Sequence, residues 1–248
     1  MVDIHSHILW GLDDGAETLE ESIAMVKLAA ESGTTDIVAT PHANTLYRYD
    51  PEVVRQRIEE VSAGAGGRPR IYRGCDFHLS FDNVQDAMEN PARYAIHNGP
   101  YILVEFPNTM LAGMQRVLTI LIDCGLTPII THPERQMQLR RISDEFLEWI
   151  RMGCLVQVTA QSLLGRFGRQ AEESAWKMVR RGLAHFVASD AHDVADRPPR
   201  LDLAFEVLSK RVGEAQARLL AIENPGAVLR GERVLANPPE KKPWYRLW

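Results

Sequence analysis

The sequence predicts an α/β fold: seven parallel strands, closed or nearly closed into a barrel and covered by the helices that join them. Two observations lead there. Short aliphatic runs alternate with amphipathic, helix-period segments along most of the chain, the pattern of parallel strands sheathed by helices. At 248 residues with 45% hydrophobic side chains, the chain is also long enough for one large core. An open doubly wound sheet is the alternative for the same alternation.

Val2 to Ile4 forms the first strand. Thr18 and Glu21 make a capping box ahead of apolar Leu19, Ile23, Val26 and Ala30, so a helix runs from there until Gly33 stops it. Asp36 to Ala39 is the second strand. Asp50 and Pro51 suit the N-cap and first position of another helix, ended by Gly64, Gly66 and Gly67, and Ile71 and Tyr72 make the third strand. The alternation then repeats: strand Tyr101–Val104, a helix near 110–123, strand Pro128–Ile130, a helix after Ser143, strand Leu155–Val158, a helix near 170–181 and strand His185–Ala188. Residues 1–236 read as a single domain. Residues 237–248 mix prolines, cations and the aromatics Trp244, Tyr245 and Trp248, and read as a tail; docking to a partner or a membrane surface is its sharper use.

The formal net charge of −5 is spread along the chain without a basic stripe, so nucleic acid is not an expected partner. No apolar run approaches the roughly 20 residues that span a bilayer, and no basic-then-apolar leader opens the chain. Cys75, Cys124 and Cys154 cannot all pair and are not spaced as C-x-x-C. The expectation is a cytoplasmic protein that is not integral to the membrane; its oligomeric state is not legible.

Imidazoles and carboxylates recur at the strand ends. His5 and His7 follow the first strand, His42 the second, Asp76 the third, Glu105 the fourth, His132 the fifth, and Asp190 with His192 the seventh. The C-terminal ends of barrel strands face one side, where the connecting loops converge and active sites lie. His5 and His7, like Asp190 and His192, stand at i and i+2 and would point to one side of an extended segment. Any one histidine alone is more simply a hydrogen-bonded core or loop residue; the constellation points to metal. Its donors suit Mn²⁺, Fe²⁺ or Zn²⁺ rather than a dedicated Ca²⁺ or Mg²⁺ site. With Asp14 the set exceeds what one ion takes, and Glu105 could bridge two. Asp13 and Asp14 are ambiguous, since adjacent acids before Gly15 can simply make a turn. His97 and His185 read as structural, and His78 could face the site without being a ligand.

Other chemistries find no support. A cysteine-based phosphatase needs an arginine six positions after its nucleophile, where this chain has Phe81, Ile130 and Ala160. There is no G-x-S-x-G elbow, Walker loop or G-x-G-x-x-G fingerprint. Gly165-Arg-Phe-Gly168 reads as an ordinary turn. Arg135, three residues beyond His132, and Arg197, similarly placed after His192, could hold phosphoryl oxygens through their planar forks.

These residues lie in segments that resemble the polymerase-and-histidinol-phosphatase (PHP) superfamily, and within it the bacterial protein-tyrosine phosphatases of capsule and exopolysaccharide clusters. The segments are Asp3-Ile-His-Ser-His7, Asp13-Asp-Gly-Ala16, Thr40-Pro-His42, Leu103-Val-Glu105, His132-Pro-Glu-Arg135, Gln157 through Gly168, Ser189-Asp-Ala-His192 and Arg197-Pro-Pro199, in the family's order to about Pro225. The resemblance implies a distorted seven-stranded barrel with three divalent ions, commonly manganese. It assigns His5, His7, Glu105 and Asp190 to one ion, Asp76, Glu105 and His132 to a second, and Asp14, His42 and His192 to a third, with Arg135 the catalytic phosphate-binding arginine. Asp76 departs from the glutamate usual at its position. The implied reaction is hydrolysis of phosphotyrosine by metal-activated water, on a membrane-bound bacterial tyrosine kinase that controls polysaccharide export. A small-molecule phosphatase acting on histidinol phosphate or a nucleotide, and a non-catalytic metal-stabilised regulator of polysaccharide assembly, are the rivals.

Overall fold

A computed structural model describes residues 1–107 and 113–236; the expected tail and the start of the helix near 110–123 lie outside the described residues. Each expected strand is present, and two of them come in halves. The strands are β1 Val2–Ser6, β2 Asp36–Ala39, β3 His42–Ala43, β4 Arg70–Arg73, β5 Asp76–His78, β6 Tyr101–Glu105, β7 Thr127–Thr131, β8 Leu155–Thr159 and β9 Phe186–Ala188. All pair in parallel, in one sheet of order β1-β2-β4 and another of order β3-β5-β6-β7-β8-β9.

The second and third expected strands break where the sequence cannot continue a ladder. Pro41, between β2 and β3, has no N–H to donate. Gly74, between β4 and β5, passes so close to its neighbour that a Cβ there would lie 2.7 Å from Val38 Cγ1. A single parallel bridge, Ser6 to Ala191, joins the end of β1 to the segment after β9. Neither sheet is closed by its own ladder, so the strands form two parallel sheets of three and six strands.

The expected N-caps are present, and the Thr18/Glu21 capping box is half made. Thr18 Oγ1 accepts from the Glu21 amide at the head of helix Leu19–Glu31, although the Glu21 carboxylate reaches back to the Glu17 amide and not to that of Thr18. Asp50 caps Pro51–Gly64 and Ser143 caps Asp144–Arg151. Helices Met114–Asp123 and Arg169–Arg180 match the remaining expectations. Helix Phe81–Glu89, capped by Ser80, and the run of helices from Asp202 to Leu229 were not expected. Among the described residues no helix is long and apolar enough to cross a membrane.

One apolar cluster decides where the site lies. Val2 and Ile4 of β1, Val38 of β2, Tyr101 and Leu103 of β6, Ile129 of β7, Leu155 of β8, and Phe186 and Ala188 of β9 pack together with Val228 and Val234. Both sheets contribute, so they share one interior. Because side chains alternate along a strand, the residues two places further on face the same interior: Glu105 after Leu103 and Gln157 after Leu155. The strands thus carry an apolar plug with a polar layer above it. A second, larger cluster lies between the strands and the helices.

His185 is structural, as expected. Its Nδ1 accepts the Val156 amide at 3.0 Å, and burial lowers its pKa from 6.5 to about 4. The unfolded chain binds this proton below pH 6.5 and the folded chain does not, so the contribution is complete above that pH and is lost as pH falls toward 4. The loss reaches about 3 kcal/mol. His185→Asn, whose side-chain oxygen can accept the same amide, should fall less in stability than wild type when urea unfolding is compared at pH 7 and pH 5; equal slopes would refute the assignment.

Candidate metal centre

Nine residues meet in the polar layer. Four groups of donors within 4.8 Å of one another occur among the described residues: His7, Asp14, His42 and His192; His5, His7 and Asp190; His5, Asp76 and His132; and His42, Asp76 and Glu105. Their members together are the nine expected from the sequence. The grouping differs from the one the resemblance implied, since Glu105 clusters with His42 and Asp76 and not with His5, His7 and Asp190.

Their backbone placement differs from expectation in informative ways. His5, His42, Asp76 and Glu105 lie within strands rather than after them. The breaks that create β3 and β5 bring His42 and Asp76 into register as direct partners. His132 (φ 33°) and Asp190 (φ 53°) adopt the left-handed conformation, so the Asp190–His192 segment is not extended as supposed. Positive φ is uncommon outside glycine and clusters where function constrains the chain.

The imidazoles are oriented from behind. Asp13 Oδ2 lies 2.6 Å from His7 Nδ1, Gln157 Oε1 lies 3.0 Å from His5 Nδ1, and the Asp190 carbonyl lies 3.0 Å from His192 Nδ1. Each is an acceptor, so each Nδ1 carries a proton and Nε2 is the atom turned to the cluster, where it would meet a bound cation as a lone pair. His5 Nε2 and His7 Nε2 stand 3.2 Å apart. Both oxygens of Asp76 and the Nδ1 atoms of His42 and His132 are buried without a hydrogen-bond partner. Such orphaned donor atoms, all nitrogen or carboxylate oxygen, fit divalent cations of intermediate softness. Cys75, one residue before Asp76, belongs to the apolar core instead.

Residues 1–230 match the family described as capsular polysaccharide synthesis, CpsB/CapC. The chain belongs to the CpsB/CapC family. It is 34% identical to CapC of Staphylococcus aureus over the whole of both chains. It is 31% identical to the tyrosine-protein phosphatase YwqE of Bacillus subtilis, over 97% of this chain and 96% of that one. A crystal structure reported for YwqE from Bacillus subtilis and CpsB from Streptococcus pneumoniae, metal-dependent tyrosine phosphatases, superimposes with a TM-score of 0.88 at 31% identity, covering 97% of this chain and 98% of the other.

In this CpsB/CapC chain the two adjacent acids divide their work. Asp14, half-exposed, lies 3.5 Å from both His42 Nε2 and His192 Nε2. Asp13 turns inward, and besides His7 it accepts the amides of His42 and Gly15. Gly15 permits this turn, since a Cβ there would lie 2.1 Å from the His7 carbonyl oxygen. Asp13→Asn would set an amide N–H against one of these donors. It should cost about 10- to 100-fold in metal affinity or kcat/KM, measurable by metal titration and steady-state kinetics; unchanged values would remove Asp13 from this role.

The charges are mutually dependent. Burial opposes ionisation of Asp190, but His5, His132, Arg197 and Arg135 hold its carboxyl well below the usual range. Burial likewise opposes charge on His5 and His42, yet Asp76 with Asp190 raises the first to about 9, and Asp76 with Glu105 the second to about 10. His7 goes the other way, depressed by burial and by His192, His42 and His5.

Arg135 and Arg197 stand at the rim, 28% and 23% exposed, and both guanidiniums reach Asp190 Oδ2, Arg197 at 2.7 Å. The Phe167 ring lies beneath both of them, 4.3 Å from Arg135 Cζ and 5.6 Å from Arg197 Cζ. His78 Nδ1 is 3.5 Å from Glu105, facing the site as the sequence allowed. Sequence reasoning missed the supporting roles of Gln157, Asp13 and Phe167. Gln157 could have been found by strand parity, and Phe167 by asking why glycines flank it.

Proposed function

We propose that this chain is a metal-dependent protein-tyrosine phosphatase acting in the cytoplasm on a membrane-bound bacterial tyrosine kinase that governs capsular or exopolysaccharide synthesis. The observation that carries the reading is the pair of arginine forks, Arg135 and Arg197, meeting on Asp190 at the edge of the nine-residue donor cluster. Its kinship with YwqE and CpsB supports the substrate class.

The reading takes three divalent ions, Mn²⁺ foremost with Fe²⁺ or Zn²⁺ as substitutes, held by His5, His7, Asp14, His42, Asp76, Glu105, His132, Asp190 and His192. Bound cations would supply Lewis acidity, acidifying the attacking water and offsetting phosphoryl charge. The chain's own residues do the rest. Arg135 and Arg197 take the non-bridging phosphoryl oxygens with the N–H donors that Asp190 leaves free, and so stabilise the developing charge. Asp13, Gln157 and the Asp190 carbonyl keep the histidine lone pairs aimed inward. The phenol leaves with a pKa of about 10, so it requires less protonation than an alkoxide would. The reading also treats the two sheets as one distorted seven-stranded barrel and residues 1–236 as one domain; the shared interior cluster and the Ser6–Ala191 bridge support this.

Phosphate release from a phosphotyrosine peptide, histidinol phosphate and nucleoside monophosphates, each with defined metals, tests the assignment. The peptide should be strongly preferred, and a preference for a small molecule would overturn it. A strain carrying phosphatase-dead Arg135→Ala yet making normal polysaccharide would favour a non-catalytic regulator.

A further inference from the structure

We infer that Phe167 is a positioning residue, which holds Arg135 and Arg197 in the orientation that receives a phosphoryl group; this rests on the phosphatase reading. The two arginines come from distant parts of the chain, one from the turn after β7 and one from the loop beyond β9, and Asp190 alone would gather them poorly. Their contacts to it are made by one terminal nitrogen of each fork, with a second from Arg197 Nη2 to the Asp190 carbonyl at 3.0 Å. A guanidinium tethered at one corner can still swing about that bond. Arg197 Nε is buried without a partner, so no hydrogen bond fixes its plane from the other side. The aromatic face of Phe167 is the surface beneath both forks, and it attracts cations through its quadrupole without occupying any N–H donor. The donors not facing Asp190 stay available for phosphate oxygens.

The loop that presents the ring is itself built to be rigid. Gly165 (φ 76°) and Gly168 (φ 83°) flank it in conformations that favour glycine. Backbone bonds from Gly165 to Ser162, Arg166 to Gln161 and Gly168 to Gly165 close successive turns at 3.0–3.1 Å. The same loop is tied to the Arg135 turn. Glu134, fully buried, accepts the Thr159 amide at 2.9 Å and the Ser162 hydroxyl at 2.6 Å through one oxygen. Arg135 and the ring beneath it are therefore carried by two segments pinned to each other.

The test is a mutant cycle on the metal-loaded enzyme with two readouts, kcat/KM on a phosphotyrosine peptide and the affinity for inorganic phosphate by calorimetry. Phe167→Leu, which keeps apolar volume and removes the ring, should weaken both by about tenfold, and Phe167→Tyr should restore most of the loss. In an Arg135→Ala, Arg197→Ala background, Phe167→Leu should change phosphate affinity little, because the groups through which the ring acts are gone. An equal loss in both backgrounds would overturn the inference. So would a loss on the peptide with phosphate affinity unchanged, which would place the ring against the substrate phenol. If Phe167→Leu lowers the melting temperature or metal content, Phe167→Met gives the same comparison. A wild type that binds phosphate but cleaves no phosphotyrosine would end the phosphatase reading while leaving the calorimetric cycle to decide the role of Phe167; a wild type that binds no phosphate overturns both.

Discussion

Arg135→Ala is expected to lower kcat/KM for a phosphotyrosine peptide by roughly 100- to 1,000-fold, with the melting temperature almost unchanged. The side chain is partly exposed at the rim and its ion pair with Asp190 is one of several that carboxylate makes, since Arg197, His5 and His7 remain beside it. Removing it therefore leaves no uncompensated buried charge, the usual source of large destabilisation. Its value lies in the reaction: charge on the transferring phosphoryl oxygens is greatest in the transition state, where a preorganised planar fork is worth most. Arg135→Lys should recover only part of the activity, because an ammonium offers a point charge where the fork offers two parallel donors. Steady-state kinetics with a thermal melt on the same samples would check this, and a loss below about fivefold would remove Arg135 from the machinery.

Removing divalent cations should abolish phosphate release, and adding Mn²⁺ should restore it. The orphaned oxygens of Asp76 and nitrogens of His42 and His132 are groups whose desolvation has no compensation from protein hydrogen bonds, and a bound cation would supply it. The fold should survive chelation, because both apolar clusters are built from strand and helix side chains that are not metal donors. Its stability should nonetheless fall, by about 2.7 kcal/mol per site for an ion previously present at a hundredfold its Kd. Circular dichroism melts with and without chelator read the second effect, and phosphate release the first. Asp190→Asn should resist rescue at any Mn²⁺ concentration that saturates wild type. Full activity retained after chelation would overturn the metal-dependent mechanism.

Much of this is legible in the sequence alone. Val2 to Ile4, Asp36 to Ala39, Leu155 to Val158 and their fellows are short apolar runs whose length and flanking glycines leave few alternatives to buried strands, and the caps at Thr18, Asp50 and Ser143 are local chemistry. Helix Phe81–Glu89 escaped because its buried side chains, Val84 and Ala87, make a narrow stripe beside an exposed Phe81. The breaks at Pro41 and Gly74 had signals of their own, but a proline or glycine between short apolar runs marks a turn as readily as a kink in one strand.

By itself, then, the sequence determined the strands, the capped helix starts and which residues offer imidazole and carboxylate donors at the strand ends, because strand runs, capping and donor type are properties of neighbours along the chain. Only the tertiary structure decided how those donors group, which of Asp13 and Asp14 faces His7 and which faces His42 and His192, and that Phe167 lies under two arginines from distant loops. Those are matters of ångströms between segments far apart in sequence. They are set by the packing of two sheets around a shared interior, which no local pattern records.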